Sequence, residues 1–113
     1  SVNIAECEQE LNAQGITPSI VVDCSHGNSN KDYKRQPLVA QNVFNQILEG
    51  NKSIIGIMLE SNINAGNQSS DLPNEELAYG VSVTDACIDM AETKALFNDA
   101  HEKLAAKLQE RIA

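Results

Sequence analysis

Two runs of consecutive apolar residues organise the chain. Ile20-Val21-Val22 stand together before Asp23-Cys24-Ser25-His26, and Ile54-Ile55-Gly56-Ile57-Met58-Leu59 stand together before Glu60. Unbroken apolar runs of this length suit parallel strands covered on both faces, so strands are predicted over 19–24 and 53–60. Helical spacing fills the ground between them. Ile4, Cys7 and Leu11 share one face of a helix over 2–14, with Gly15 as its stop. Pro37 suits a helix first turn, and Ala40, Val43, Phe44, Ile47 and Leu48 form an apolar stripe that ends at Gly50. A long polar stretch, 61–79, is rich in Asn, Ser and Gly, and loops of that length in compact domains tend to be functional. Val81-Ser82-Val83-Thr84 is a short third strand candidate ending at Asp85. A last helix is predicted over 92–111, buried through Ala95, Leu96, Ala100, Leu104 and Leu108.

The order is helix, strand, helix, strand, loop, strand, helix, with strand ends recurring at roughly the 30-residue interval of a βα unit. The fold class read from this pattern is α/β with parallel strands. At 113 residues and 42% hydrophobic content the chain reads as one domain with a core, and no linker or low-complexity tract divides it.

Charge narrows the functional classes. Sixteen acids against eight bases give a formal net charge of −8. That balance lacks the basic footprint of a nucleic-acid binder and disfavours anionic membrane surfaces. No apolar run is long enough to span a bilayer, and SVNIAECEQE lacks the regions of a signal peptide. A cytoplasmic protein is expected. Cys7, Cys24 and Cys87 are an odd number, with no CxxC pair, and read as reduced thiols.

The candidate chemistry lies at the strand ends. In parallel α/β folds, sites form at the carboxyl ends of strands, and here those ends carry His26, Glu60 and Asp85. An imidazole with two carboxylates suits Mn, Fe, Co or Zn. The plainer alternative makes His26 a loop or capping residue, Glu60 a solvated charge and Asp85 a turn acceptor. Gly27-Asn28-Ser29-Asn30, near Lys31, Lys34 and Arg35, reads either as an anion cradle or as ordinary turn chemistry. It is not a Walker loop, whose glycine-lysine spacing is absent. Cys24 and Cys87 read as buried spectators ahead of ligands or nucleophiles, and His101 as a surface residue.

Three blocks carry a family resemblance: VVDCSHGNSNKDYKRQP, SIIGIMLESNINAGNQ and LAYGVSVTDACI. In order and spacing they resemble the C-terminal part of type I 3-deoxy-D-arabino-heptulosonate-7-phosphate (DAHP) synthase, and HGNSNKDY and GVSVTDACI resemble its tyrosine-regulated members. The resemblance covers nearly the whole chain but about three of the eight βα units of a (β/α)8 TIM barrel, which takes about 250 residues. Residues 1–113 are therefore expected to be a single partial domain.

The family condenses phosphoenolpyruvate with erythrose 4-phosphate and releases phosphate, the first step of the shikimate pathway to aromatic amino acids. By resemblance, three of its four metal ligands are His26, Glu60 and Asp85. The fourth, a cysteine from an early strand, matches none of Cys7, Cys24 and Cys87. His26 and Asp85 are also implied to touch the substrates. The family's phosphate-clamping Arg and Lys residues, and most of its effector pocket, match nothing in this chain. The chain alone is thus expected to be inactive. One rival is a silent fragment that self-associates as a homo-oligomer through the open strand edges or the apolar inner sheet face that a cut barrel leaves. Another is a related barrel aldolase such as 3-deoxy-octulosonate-8-phosphate synthase. The sequence departs from the family after Asp85-Ala86-Cys87-Ile88, where Asp89-Met90-Ala91 replace a small residue followed by Trp-Glu.

Overall fold

A computed structural model describes residues 2–111. Helix α1 (Val2–Ala13) leads into strand β1 (Ile20–Asp23). A single helical turn, α2 (His26–Ser29), and a 3-10 turn at Tyr33–Arg35 precede α3 (Gln36–Leu48). Strand β2 (Ile54–Met58), a long loop with a 3-10 turn at Asn74–Glu76, and α4 (Met90–Glu110) complete the order. β1 and β2 pair in parallel, with Val22 opposite Ile57 and Asp23 opposite Met58. α1, α3 and both long strands agree with the apolar pattern to within a residue or two.

The core lies between the sheet and the helices. Val22 and Ile54 from the strands meet Ala40, Val43, Phe44 and Ile47 of α3, Leu96 and Leu104 of α4, and Ile4 of α1. α3 takes Pro37 in its first turn, where a missing N–H costs nothing. Polar groups seal the α3–α4 seam. Gln41 donates its amide to the Asp99 carboxylate, and Lys103 donates to Gln41 Oε1 at 2.6 Å. Arg111 ties the end of α4 to the start of β2, donating to the carbonyls of Ile54 at 2.8 Å and Asn51 at 2.7 Å.

Three expectations need correction. First, Val81–Thr84 does not form a strand. Ser82 Oγ accepts the N–H of Thr84 at 3.1 Å, a side-chain turn that bends the chain and removes a ladder donor. The segment's pairing is one isolated bridge, Ser82 to Asn67, and two further isolated bridges follow, Cys87 to Gly66 and Ile88 to Ser61. Asp85 therefore lies between isolated bridges instead of ending a strand. Second, α4 begins at Met90, because Asp89 Oδ1 accepts the N–H of Glu92 at 2.8 Å as an N-cap. The stripe is also narrower than expected, with Ala95 and Leu108 exposed.

Third, the strands are covered on one face only. Val22 is buried while its neighbour Val21 is 59% exposed, and Ile55 is 62% exposed. Within the described residues no second layer lies over that side. The result is an open slab, 52 × 32 × 19 Å, with a radius of gyration of 16.8 Å. A closed domain of similar length has a radius nearer ~13 Å.

Candidate functional site

The site lies beyond the carboxyl ends of β1 and β2, where the chain leaves the sheet in two turns. After Asp23 it enters α2, with His26 in the left-handed region at φ 49°. A side chain other than glycine pays to sit there. Local hydrogen bonds hold the turn: Lys31 N–H donates to His26 O at 2.7 Å and Asn28 Nδ2 donates to Asp23 O at 2.6 Å. The backbone donors of Asn30, Lys31 and Asp32 are all spent on carbonyls of residues 26–29. The Gly27–Asn30 segment thus closes on itself as a turn.

After Met58 the chain passes through Glu60, whose backbone is gripped by a buried side chain. Gln36, with no solvent exposure, accepts the Glu60 N–H at 2.8 Å and donates to the Glu60 carbonyl at 3.0 Å. The same carbonyl accepts Ile88 N–H at 3.0 Å. One amide side chain so replaces a missing strand neighbour at this point, satisfying both backbone groups.

Asp85 is delivered by the long loop, which is ordered by its own side chains. Gln68 donates to the carbonyls of Ala78 and Val81 and accepts the N–H of Ala78. Asn67 Nδ2 donates to Thr84 O at 3.0 Å, and Gly66 and Cys87 exchange backbone hydrogen bonds on the other side of Asp85.

These turns bring His26, Glu60 and Asp85 together. One ligand atom from each lies within 4.8 Å of the others. His26 Nε2 is 3.0 Å from Glu60 Oε1 and 3.2 Å from Asp85 Oδ2. The donor set, one imidazole nitrogen and two carboxylate oxygens, fits a divalent ion of borderline hardness. The cluster opens to solvent: the side chains of His26 and Asp85 are 43% and 66% exposed, while that of Glu60 is 20% exposed. The Asp23 carboxylate beside Nδ1 raises the His26 pKa most, followed by Asp85 and then the charge on Glu60. All three acids favour a positive charge at this point, whether a proton or a metal ion supplies it.

Sequence reasoning selected the three converging residues and passed over those that hold them. Ser25 Oγ donates to Glu60 Oε2 at 2.9 Å. Asp23 lies against the other nitrogen of His26. Both residues stand inside the D-x-S-H motif, which was the available signal. Gln36 gave none, since a glutamine ahead of a helical proline reads as surface. Cys24 and Cys87 lie outside the cluster: Cys24 is fully buried, its thiol pushed up to about 11 by desolvation and by Asp23, and Cys87 is buried and also raised. His101 is exposed.

The sequence profile of the DAHP synthetase I family matches residues 1–98. The "Phospho-2-dehydro-3-deoxyheptonate aldolase, Tyr-sensitive" of Escherichia coli (strain K12) is 57% identical over 111 residues, covering 98% of this chain and 31% of that protein. The tyrosine-inhibited aldolase of the same name from Schizosaccharomyces pombe is 38% identical over 110 residues, covering 95% of this chain and 30% of that protein. Among solved structures, the phospho-2-dehydro-3-deoxyheptonate aldolase of Francisella tularensis SCHU S4 superposes with a TM-score of 0.85 at 36% identity, over 92% of this chain and 30% of that one. The chain spans 31% of the length of the bacterial relatives of 57% identity.

Proposed function

The chain belongs to the DAHP synthetase I family, and we propose on that premise that it forms the metal-facing corner of a DAHP synthase. The reaction is the condensation of phosphoenolpyruvate with erythrose 4-phosphate to DAHP and phosphate, opening the shikimate pathway. The observation that carries this reading is the convergence of His26, Glu60 and Asp85 from three separate segments onto one point. His26 Nε2, Glu60 Oε1 and Asp85 Oδ2 would hold a divalent metal (Mn, Fe, Co or Zn). A metal bound there supplies Lewis acidity toward the aldehyde oxygen of erythrose 4-phosphate. Glu60, the least exposed of the three, anchors the site. Asp85, the most exposed, is the ligand best placed to meet the aldose hydroxyls, and His26 borders the phosphoenolpyruvate side.

Residues 1–113 are read as one partial domain, about three βα units of a (β/α)8 barrel, in a cytoplasmic enzyme. No helix among the described residues is long and apolar enough to cross a membrane, and the three cysteines are free. The effector of such an enzyme is an aromatic amino acid; relatives named Tyr-sensitive favour tyrosine.

A second reading concerns the chain as a molecule in its own right. The bare sheet side, with Val21 and Ile55 more than half exposed, favours a homo-oligomer that covers these residues and turns over nothing.

Calorimetric titration of the chain with Mn²⁺ beside His26→Ala tests the site, and consumption of phosphoenolpyruvate with erythrose 4-phosphate and Mn²⁺ tests turnover. Binding that His26→Ala abolishes, without turnover, is expected. No binding in the parent chain would overturn the metal corner, and turnover would overturn the silent oligomer.

A further inference from the structure

Ser25 stands where a helix-capping serine belongs, yet it does not cap. It immediately precedes the turn of α2, with extended backbone at φ −100° and ψ −163°, and its side chain makes no capping hydrogen bond. A serine in that position ordinarily turns its oxygen to an N–H of the first turn. Here the hydroxyl reaches a residue 35 positions away: Oγ donates to Glu60 Oε2 at 2.9 Å. Ser25 is 4% exposed, so bulk water does not compete for this bond. Its own backbone is fixed in turn, with its N–H on Asp23 Oδ1 at 2.8 Å.

Glu60 is thereby held at both ends. Gln36 takes its backbone N–H and carbonyl, and Ser25 takes one oxygen at the tip. Between those two points lie the side-chain torsions, which a glutamate free at its tip would leave to rotate. The oxygen that Ser25 does not hold is Oε1, and it lies 3.0 Å from His26 Nε2.

We propose that Ser25 is a positioning residue that holds Oε2 of Glu60 and so presents Oε1 at the point where His26, Glu60 and Asp85 converge. This deepens the metal-corner reading and rests on it for the ion. The role requires a hydroxyl, not merely a small buried side chain. Alanine occupies nearly the same space and donates nothing, whereas threonine keeps the donor. In Ser25→Ala the Glu60 backbone stays anchored but its carboxylate is released. An arriving ion must then order that carboxylate itself, which costs affinity. Hydrogen-bond partners behind ligating carboxylates change metal affinity by about 10–100-fold.

The test is calorimetric titration with Mn²⁺ of the parent, Ser25→Ala, Ser25→Thr and the exposed-serine control Ser70→Ala. The carboxyl ¹³C resonance of Glu60 is recorded for each protein without metal. Affinity is expected to fall about 10–100-fold in Ser25→Ala and to stay near the parent value in Ser25→Thr and Ser70→Ala. The Glu60 resonance is expected to move in Ser25→Ala alone. Parent-like affinity or an unmoved Glu60 resonance in Ser25→Ala overturns the proposal. So does a loss that folded Ser25→Thr fails to rescue, because packing and not the hydroxyl would then be at work. Should Ser25→Ala not fold, the parent decides: its Ser25 hydroxyl proton is expected in nuclear Overhauser contact with the Glu60 side chain, and free exchange with water overturns the proposal. A parent that binds no Mn²⁺ would sink the metal corner, and the metal-free Glu60 resonance would still decide whether Ser25 holds the carboxylate.

Discussion

The Gln36 carboxamide and the Glu60 backbone form a closed pair, with Oε1 accepting Glu60 N–H at 2.8 Å and Nε2 donating to Glu60 O at 3.0 Å. Gln36 has no solvent exposure, so water cannot take its place. Gln36→Leu keeps the volume and removes the partners. It is expected to lower stability by about 1–3 kcal/mol, the cost of leaving an interior backbone group unpaired. Urea denaturation measures this, and Mn²⁺ titration is expected to weaken with it, because Glu60 loses its anchor. An unchanged urea midpoint would show that the pair adds nothing to stability.

Gly80 has a comparable role in the loop that carries Asp85. It sits at φ 71°, and a Cβ there would lie 2.8 Å from Ile63 Cβ. Gly80→Ala therefore meets both a disfavoured backbone region and a clash, costing at least about 1–2 kcal/mol. Limited proteolysis is expected to cut the 61–89 segment faster in the variant. Equal cleavage rates would mean that the loop tolerates the side chain.

Val21 and Gly56 are opposite each other in the parallel register, with Val21 59% exposed. Val21→Lys places a charge on the bare side without touching the helix-covered core. If that side mediates self-association, sedimentation velocity will show the parent as an oligomer and the variant as a monomer. Identical distributions for the two proteins would move the contact elsewhere.

Asp99 gives the α3–α4 seam a dependence on acid. The Gln41 amide first, and Lys103 after it, hold its carboxyl below the usual range against an opposing effect of desolvation. A depressed folded-state pKa contributes stability above the unfolded value, near ~4, which is lost as pH falls through the folded value. The parent is therefore expected to lose more stability between neutral pH and about pH 3 than Asp99→Asn does. Parallel pH profiles of the two urea midpoints would remove Asp99 from the acid response.

The two strands and three main helices were legible in the residue pattern because each rests on local physics. Ile20-Val21-Val22 and the run from Ile54 to Leu59 are short, rich in β-branched residues and bounded by polar ones, which favours strands over helices, and Ala40, Val43, Phe44 and Ile47 repeat at the helical period. The motif around His26 also marked out the residues that converge. What the pattern misplaced was the third segment. Alternation at Val81–Thr84 suggested a strand, but a hydroxyl two residues from a backbone N–H closed a turn instead.

Other features needed contacts between residues far apart in the chain. Gln36 and Glu60 meet across 24 positions, Ser25 and Glu60 across 35, and His26 and Asp85 across 59. No local propensity records such meetings, since they arise when α3 packs on β2 and the loop folds back over the strand ends. Residue types alone placed an imidazole and two carboxylates near strand ends. Which oxygen faces Nε2, and which carboxylate stands behind the ring, followed from the packed backbone, because hydrogen-bond direction is a property of positions in space.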